Sequence, residues 1–166
     1  MLDAGCERTF DEVVNVTRAT LATFGYKRSG STFRKLAQDT CAIVQFQRSH
    51  FNAGASIKFA VNLSVVCGRL LEDWQPKLER AREMDGHLRN RLGFLMTPPH
   101  DKWWEIAPET EGAALASEVS ELIAGLGVPY LDRHMTTSAL VALWRAGKSP
   151  GLTTTQRDRY LSVLDP

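Results

Sequence analysis

The feature that most constrains the fold is an alternation of side chains between positions 57 and 66. Large apolar residues occupy the odd positions from Ile57 to Val65, and Lys58, Asn62 and Ser64 are among the residues between them. A period of two is typical of a β-strand with one buried face. We therefore predict a strand here that packs its large apolar side chains against a core and carries Asn62 and Ser64 on its opposite face.

Further strands are predicted on both sides of this segment. Residues 31–36 follow a Ser29-Gly30 turn, and residues 40–49 are joined to the alternating strand by a loop at 50–56. Short turns between successive strands are typical of an antiparallel meander. Residues 89–96 are a candidate fourth strand. After the break at Pro98-Pro99, residues 102–106 are predicted to pair back as a short fifth strand.

A helix is predicted over residues 9–24, because apolar residues recur there at spacings of three and four. Thr9 and Glu12 fit a capping box at its start, and Gly25 fits a left-handed stop at its end. Residues 69–84 are predicted to form a second helix that is bounded or kinked by Pro76.

The remainder of the chain is predicted to be helical from residue 108 onward. A first helix is expected to end at Gly125 and Gly127, followed by a short extended link at 128–131. A further helix is expected over 137–146, and a capping box formed by Thr153 and Gln156 opens the last helix.

The order of helix, strands and helices indicates an α+β fold. We expect an antiparallel sheet of four to five strands, with helices packed on one face and a helical C-terminal third. The 166 residues fit one domain, 1–166, with the N-terminal helix at 9–24, the sheet and its inserted helix at 31–106, and the helical part at 108–166.

Composition narrows the classes of function. The chain has 20 Lys and Arg against 19 Asp and Glu, so its formal net charge is +1. A balance so near zero argues against nucleic-acid or membrane-surface binding, which require a basic excess. The sequence contains no apolar run of membrane-spanning length and no recognisable signal peptide. Because its three cysteines are an odd number and widely spaced, we expect a cytoplasmic protein with free thiols.

Five segments occur in a recognisable order, and they resemble a family. They lie at 24–33, 44–49, 59–63, 91–94 and 101–105 and include the sequences Phe24-Gly25-Tyr26 and Leu92-Gly93-Phe94. Over residues 10–164 the chain resembles a bacterial family known only as domain of unknown function 4304. This resemblance implies a small α+β domain and no established activity.

The first candidate site is a polar face of the sheet. Gln45, Gln47 and Ser49 lie on one side of their strand, and Asn62 and Ser64 share the polar side of the next. Amides and hydroxyls on adjacent strands would form a hydrogen-bonding platform for a peptide or a small polar ligand. The alternative is the solvated outer face of a half-buried sheet.

The second candidate site is the segment 101–105. Trp103 and Trp104 are adjacent in a predicted strand, so they point to opposite faces, and one of them is expected in the core. The other could anchor a protein partner at the surface. The alternative is that both tryptophans are packed and structural, and that Asp101 is a turn residue.

The third candidate site is a pair of arginines. Arg89 and Arg91 share one face of a predicted strand, so two guanidinium groups could converge on one anion, such as a phosphate. The alternative is that the charged stretch 77–91 is a solvated helix whose basic residues pair with acids such as Glu79 and Glu83.

Catalytic, cofactor and metal sites are not predicted. Cys41, Cys67, His87 and His100 lack the close spacing of metal ligands. No nucleophile elbow and no phosphate-binding loop is present, so we assign no catalytic residue and no cofactor.

The leading hypothesis is a non-catalytic binding module that uses the sheet, the loop at 50–56 and the Trp103-Trp104 hairpin to hold a protein or a small ligand. One version, by analogy alone, is a neutralising partner of a bacterial effector. The alternative is an enzyme acting on a phosphorylated or nucleotide-like substrate, with Arg89 and Arg91 as anion clamps.

The enzyme hypothesis makes a geometric prediction. It requires a pocket in which the two arginines meet Gln47, Asn62 or His87. Arginines that are bound instead to Glu79, Glu83 or Asp85, or that point into solvent, would remove its basis.

Overall fold

The structure is a computed structural model that describes residues 3–50, 56–74 and 76–166. It contains an antiparallel sheet and five α-helices, which confirms the predicted α+β class. The strands are β1 (Lys27–Ser29), β2 (Thr32–Leu36), β3 (Thr40–Arg48), β4 (Ile57–Cys67), β5 (Leu88–Arg91) and β6 (Trp104–Ile106). The helices are α1 (Ala4–Ala22), α2 (Gly112–Leu122), α3 (Val128–His134), α4 (Thr137–Arg145) and α5 (Thr154–Leu164). Positions 51–55 of the predicted loop at 50–56 lie outside the described residues.

The sheet has the strand order β1-β2-β3-β4-β5, and β6 also pairs with β4. Asn62 of β4 lies opposite Arg91 of β5, and Phe59 of β4 lies opposite Trp104 of β6. The two short strands therefore follow each other along one strand. This corrects the expectation that residues 102–106 pair back on 89–96. The predicted strand at 89–96 is also shorter, because a 3₁₀ turn replaces it at Leu92–Leu95.

Helix α1 begins five residues earlier than predicted. The carboxylate of Asp3 accepts hydrogen bonds from the backbone N–H groups of Gly5 at 2.8 Å and Cys6 at 3.1 Å, so Asp3 is the N-cap. Thr9 is a helical residue instead, and the predicted capping box at its position is wrong. Gly25 has a φ of +87°, which is the left-handed conformation expected of a stop.

The main core lies between the helices and one face of the sheet. All five helices contribute buried apolar side chains to it. At its centre the ring of Phe59 stacks on Trp104 with centroids 5.6 Å apart, and Phe10 of α1 meets the same ring edge-on at 5.5 Å. The prediction of helices packed on one face is confirmed.

The opposite face of the sheet is partly covered by residues 68–86. The helix predicted at 69–84 does not form, and the described part of this segment contains three 3₁₀ turns at Gly68–Leu70, Leu78–Arg80 and Glu83–Asp85. Each turn ends at a residue with extended backbone, and Pro76 provides no N–H for a continuous helix. The segment lies along the sheet because Leu71, Leu78 and Ala81 pack on Ile43 and its neighbours.

This covering segment corrects the prediction of a single buried face for residues 57–66. Along β4 only Lys58 is exposed, and the strand is buried on both faces over most of its length. Ser64, expected on an open polar face, has no exposed surface.

Helices α2 and α3 are joined by a π-helical turn at Ile123–Gly127. Gly125 and Gly127 therefore do not end the helix, and the predicted extended link at 128–131 is wrong. Val128 and Leu131 are buried in the main core, and their packing favours continuing the helix. The capping box at Thr153 and the helix that follows it are confirmed. Within the described residues, no helix is both long and apolar enough to cross a bilayer.

Candidate functional site

An open cleft of about 700 Å³ lies on the part of the second sheet face that residues 68–86 leave uncovered. We call it the polar cleft. It is lined by Gln47, Asn62, Glu83, Arg89, Asn90, Arg91, Phe94, Asp101, Pro150 and Gly151.

The register of three strands brings the polar side chains of this cleft together. Gln45 of β3 lies opposite Asn62 of β4, which lies opposite Arg91 of β5. Directly opposed residues in an antiparallel pair share a face of the sheet. Arg89 shares this face with Arg91 because the two residues are separated by two positions.

Asn62 is the centre of a hydrogen-bond network on the cleft floor. Its Nδ2 donates to Gln47 Oε1 at 2.8 Å and to Gln45 Oε1 at 3.2 Å. Its Oδ1 accepts from Arg91 Nε at 3.2 Å. Asn62 is only 5% exposed, so these partners replace the water that its amide would otherwise bind.

Arg91 contacts four side chains of the site. Besides its bond to Asn62, its Nη1 donates to the two carboxylate oxygens of Asp101 at 2.7 and 2.8 Å, and its Nη2 donates to Gln47 Oε1 at 3.4 Å. The guanidinium carbon lies 5.0 Å from the centroid of the Trp103 ring, which is a cation–π distance. The hydrogen bonds from Arg91 lower the pKa of Asp101, which stays ionised.

Arg89 forms a second ion pair at the edge of the cleft. Its Nε and Nη2 each donate to one carboxylate oxygen of Glu83 at 2.9 Å, in a side-on fork. Glu83 belongs to the last turn of the covering segment, and its side chain is 9% exposed. The pair therefore stands where the covered part of the sheet face meets the open part.

The two arginines fulfil part of the anion-clamp prediction. Both line one cleft, and Arg91 meets Gln47 and Asn62 as that hypothesis requires. Arg89 is bound to Glu83, which is one of the arrangements that argue against it. The predicted solvated helix with Glu79 and Glu83 on one face is wrong, because no such helix forms at these positions.

The two tryptophans have different environments, as predicted for neighbours in a strand. Trp104 is buried in the main core, and its Nε1 donates to Glu118 Oε1 at 2.9 Å. Trp103 is half-buried, and its Nε1 donates to Asp101 Oδ2 at 3.2 Å. Trp103 therefore supports the Arg91–Asp101 pair, whereas Trp104 lies away from the cleft.

Two other predicted site residues lie outside the cleft lining. Ser49 lies just beyond β3, where its N–H donates to Lys58 O at 2.9 Å. It does not belong to the cleft lining formed by the described residues. Gln45 is linked to the cleft floor by the hydrogen bond that it accepts from Asn62.

Half of the residues that line the cleft are not identified by the sequence pattern. Asn90 lies between the two arginines of β5 and opposite Leu63, so strand alternation places it on the other face and gives no signal for the cleft. The sequence pattern predicts Phe94 in a strand that ends before it, and Glu83 in a helix that does not form. Pro150 and Gly151 reach the cleft from the loop between α4 and α5, and no local pattern indicates that contact.

A buried histidine lies near the covered end of the face. The backbone N–H of Cys67 donates to His87 Nδ1 at 3.0 Å, and the ring meets Tyr160 edge-on at 5.1 Å. Burial lowers the pKa of His87 to about 4, so the ring is neutral at physiological pH. Within the described ranges, no three His, Cys, Asp or Glu side chains are arranged to hold a metal ion. All three cysteines are buried, and they form no disulfide with one another.

The fold and cleft thus define a small α+β protein with an open depression on one sheet face, where polar side chains lie beside Phe94. Residues 17–133 match the family described as Domain of unknown function (DUF4304), and the chain belongs to this family. The matched region contains every residue of the cleft lining except Pro150 and Gly151. No curated protein and no solved structure matches the chain.

Proposed function

We propose that this protein is a non-catalytic binding module whose polar cleft holds a short segment of a protein partner or a small polar ligand. The observation that carries the proposal is the network of Asn62, Gln47, Arg91 and Asp101 on the floor of an open cleft. Polar groups that hold one another in place lose little further freedom when a ligand arrives. Such preorganisation favours affinity.

The composition of the cleft also supports binding. Phe94 is 47% exposed, and together with Pro150 it provides an apolar wall beside the amide and guanidinium groups. Ligand sites commonly combine apolar surface with a few well-placed polar groups that fix the ligand's orientation.

The ionisable groups of the described cleft lining favour binding over catalysis. They are Arg89, Arg91, Glu83 and Asp101, and each carboxylate is bound to an arginine. A general base must be free to accept a proton and works best with a pKa near the operating pH. The pKa of Asp101 is shifted in the opposite direction.

A second candidate function is an enzyme that acts on a phosphorylated or nucleotide-like substrate. It is favoured by the placement of Arg89 and Arg91 in one cleft, about 7 Å apart along the strand. Such a substrate would have to compete with Glu83 and Asp101 for the two guanidinium groups.

Affinity capture from host lysate tests the proposal, with short-range crosslinking to locate the contact. The wild type is compared with a Gln47→Ala/Asn62→Ala variant whose folding is first checked by thermal melting. Arg18→Gln is the control, because Arg18 is exposed on α1 and lines a different surface hollow. We expect one partner that crosslinks at the cleft, is retained by Arg18→Gln and is lost by the cleft variant.

Two results would contradict the proposal. One is a partner that the cleft variant captures as well as the wild type does. The other is turnover of phosphorylated metabolites by the purified protein, followed by ³¹P NMR, which would favour the second candidate.

A further inference from the structure

The polar cleft contains two arginine–carboxylate pairs, and they differ in how easily the carboxylate can be replaced. We propose that Arg91 binds a carboxylate or phosphate group of the cleft's ligand, and that Asp101 occupies this position until the ligand displaces it. This inference rests on the proposed function, because it names the chemistry of the ligand in the same cleft.

Arg91 is positioned by neutral groups that do not depend on Asp101. Its Nε is bound to Asn62 at 3.2 Å, and Asn62 is fixed by Gln47 at 2.8 Å. The Trp103 ring also lies 5.0 Å from the guanidinium, but its indole Nε1 is bonded to Asp101, so the two amides are the supports independent of the carboxylate. The head group therefore has a defined place on the cleft floor that remains when the carboxylate leaves.

The contact between Asp101 and Arg91 uses only part of the guanidinium. Both carboxylate oxygens accept from the single nitrogen Nη1, at 2.7 and 2.8 Å, whereas Nη2 has a long bond of 3.4 Å to Gln47. Glu83 instead bridges two nitrogens of Arg89, at 2.9 Å each. An incoming anion that bridges Nη1 and Nη2 would gain the stronger forked geometry.

Exposure also distinguishes the two carboxylates. The side chain of Asp101 is 46% exposed, and that of Glu83 is 9% exposed. Exposed ion pairs contribute little net free energy, because water solvates both charges well when they separate. Asp101 is therefore the carboxylate that a ligand can replace at low cost, and Arg91 is the cation it would expose.

The surroundings of Arg91 favour an anion that is attached to an apolar body. Phe94 is half-exposed in the same cleft and offers a ring face for such a body. Benzoate and phenyl phosphate carry the two kinds of anion on one aromatic ring. Benzamide has nearly the same shape as benzoate without its charge, so it isolates the contribution of the anion.

The test is an NMR titration of ¹⁵N-labelled protein with these three compounds. It follows two signals, the Nε–H of Arg91 and the indole N–H of Trp103. Because the indole N–H donates to Asp101, its signal reports the release of Asp101 from this contact. We expect benzoate, phenyl phosphate or both to move the two signals together. Benzamide is expected to bind at least about tenfold more weakly, because the charge-assisted bonds are lost.

Variants sharpen the test. Asp101→Asn is expected to tighten binding of the anion about fivefold, since it removes a like charge from about 4 Å away in a well-solvated site. Arg91→Lys keeps the charge but loses the fork, so it should weaken binding, and Arg91→Gln should abolish it. Arg18→Gln has the same charge change outside the cleft and should bind as the wild type does.

The outcomes separate this inference from the proposed function. Binding of benzamide as tightly as benzoate, or no tightening in Asp101→Asn, overturns the inference and leaves the binding module standing. Arg91 and Trp103 signals that do not move with any compound also overturn it. The proposed function is then decided by affinity capture, whose cleft variant retains both Arg91 and Asp101.

Discussion

One face of the sheet has a sealed half and an open half. In the sealed half, Ile43, Ser64 and their neighbours lie under residues 68–86. In the open half, Gln47, Asn62 and Arg91 line a cleft. The same strands run through both halves, with side chains of the same parity. A period of two identifies the residues that share a face of a sheet, but it does not identify the part of that face that another segment covers.

The largest expected difference between the halves is in core packing. Ile43→Ala should lower the free energy of unfolding by about 2–5 kcal/mol, because it leaves a cavity under the covering segment. Gln45→Ala, two residues further along the same face of β3, removes one neutral hydrogen bond to Asn62 and should cost about 1 kcal/mol or less. Guanidinium denaturation of both variants measures this difference. Equal losses would show that the sealed half is not a packed core.

Acid should destabilise the sealed end through His87. Its pKa is 6.5 in the unfolded chain and about 4 in the folded protein, so the unfolded state binds its proton first as the pH falls. Stability that is fully present above pH 6.5 should therefore be lost progressively toward pH 4, by about 3 kcal/mol.

The His87→Asn variant isolates this contribution. The side-chain oxygen of the asparagine can still accept a hydrogen bond from the Cys67 N–H, but the asparagine does not take up a proton in this pH range. The wild type should lose unfolding free energy relative to the variant as the pH falls from 6.5 to 4.5. This range lies above the one in which protonation of carboxylates dominates the pH dependence of stability. A constant difference would contradict the assignment.

Close packing at the edge of the covering segment gives a smaller effect. A Cβ on Gly86 would lie 2.6 Å from the Cβ of Ser64, so Gly86→Ala should destabilise the fold by about 1–3 kcal/mol. Gly125→Ala is the matched control, because an added Cβ meets nothing within 4 Å there. That control should be neutral or slightly stabilising in the same thermal melts. A harmless Gly86→Ala would mean that the segment can lift from the sheet.

The smallest expected effects are in the two ion pairs. Glu83→Gln, at the border of the halves, should cost about 1–2 kcal/mol, because a nearly buried charge-assisted fork is weakened. Asp101→Asn, in the open half, should cost less than about 1 kcal/mol. Urea denaturation at low and moderate salt measures both. A larger loss for Asp101→Asn would show that Asp101 is structural, and would weaken its role as a replaceable group.

The sequence predicts the regular parts of the fold well, because local rules determine them. The alternation along β4, the capping box of α5 and the left-handed Gly25 each depend on neighbouring residues only. Residues 69–84 have helical spacing as well, but Pro76 and the apolar surface around Ile43 favour turns laid against the sheet. That competition between local and tertiary contacts is not visible in the pattern.

For the candidate site, the sequence predicts which residues share a face of the sheet but not which residues they contact. Parity places Gln47 and Asn62 on one face, and it places Arg89 beside Arg91. The partners of the arginines depend on the path of the chain after β5 and on the position of the covering segment. The sequence therefore identifies Asp101 as a candidate site residue but does not predict that it contacts Arg91. Only the tertiary structure reveals that contact.

We propose that the open half of this sheet face is the ligand-binding surface. Chemical-shift mapping of the labelled protein with a library of small polar and anionic compounds tests it without assuming a site. We expect shifts to cluster on the side-chain N–H groups of Gln47, Asn62 and Arg91. Shifts that cluster instead on the hollow lined by Arg18 and Arg28, or that spread evenly over the surface, would contradict it.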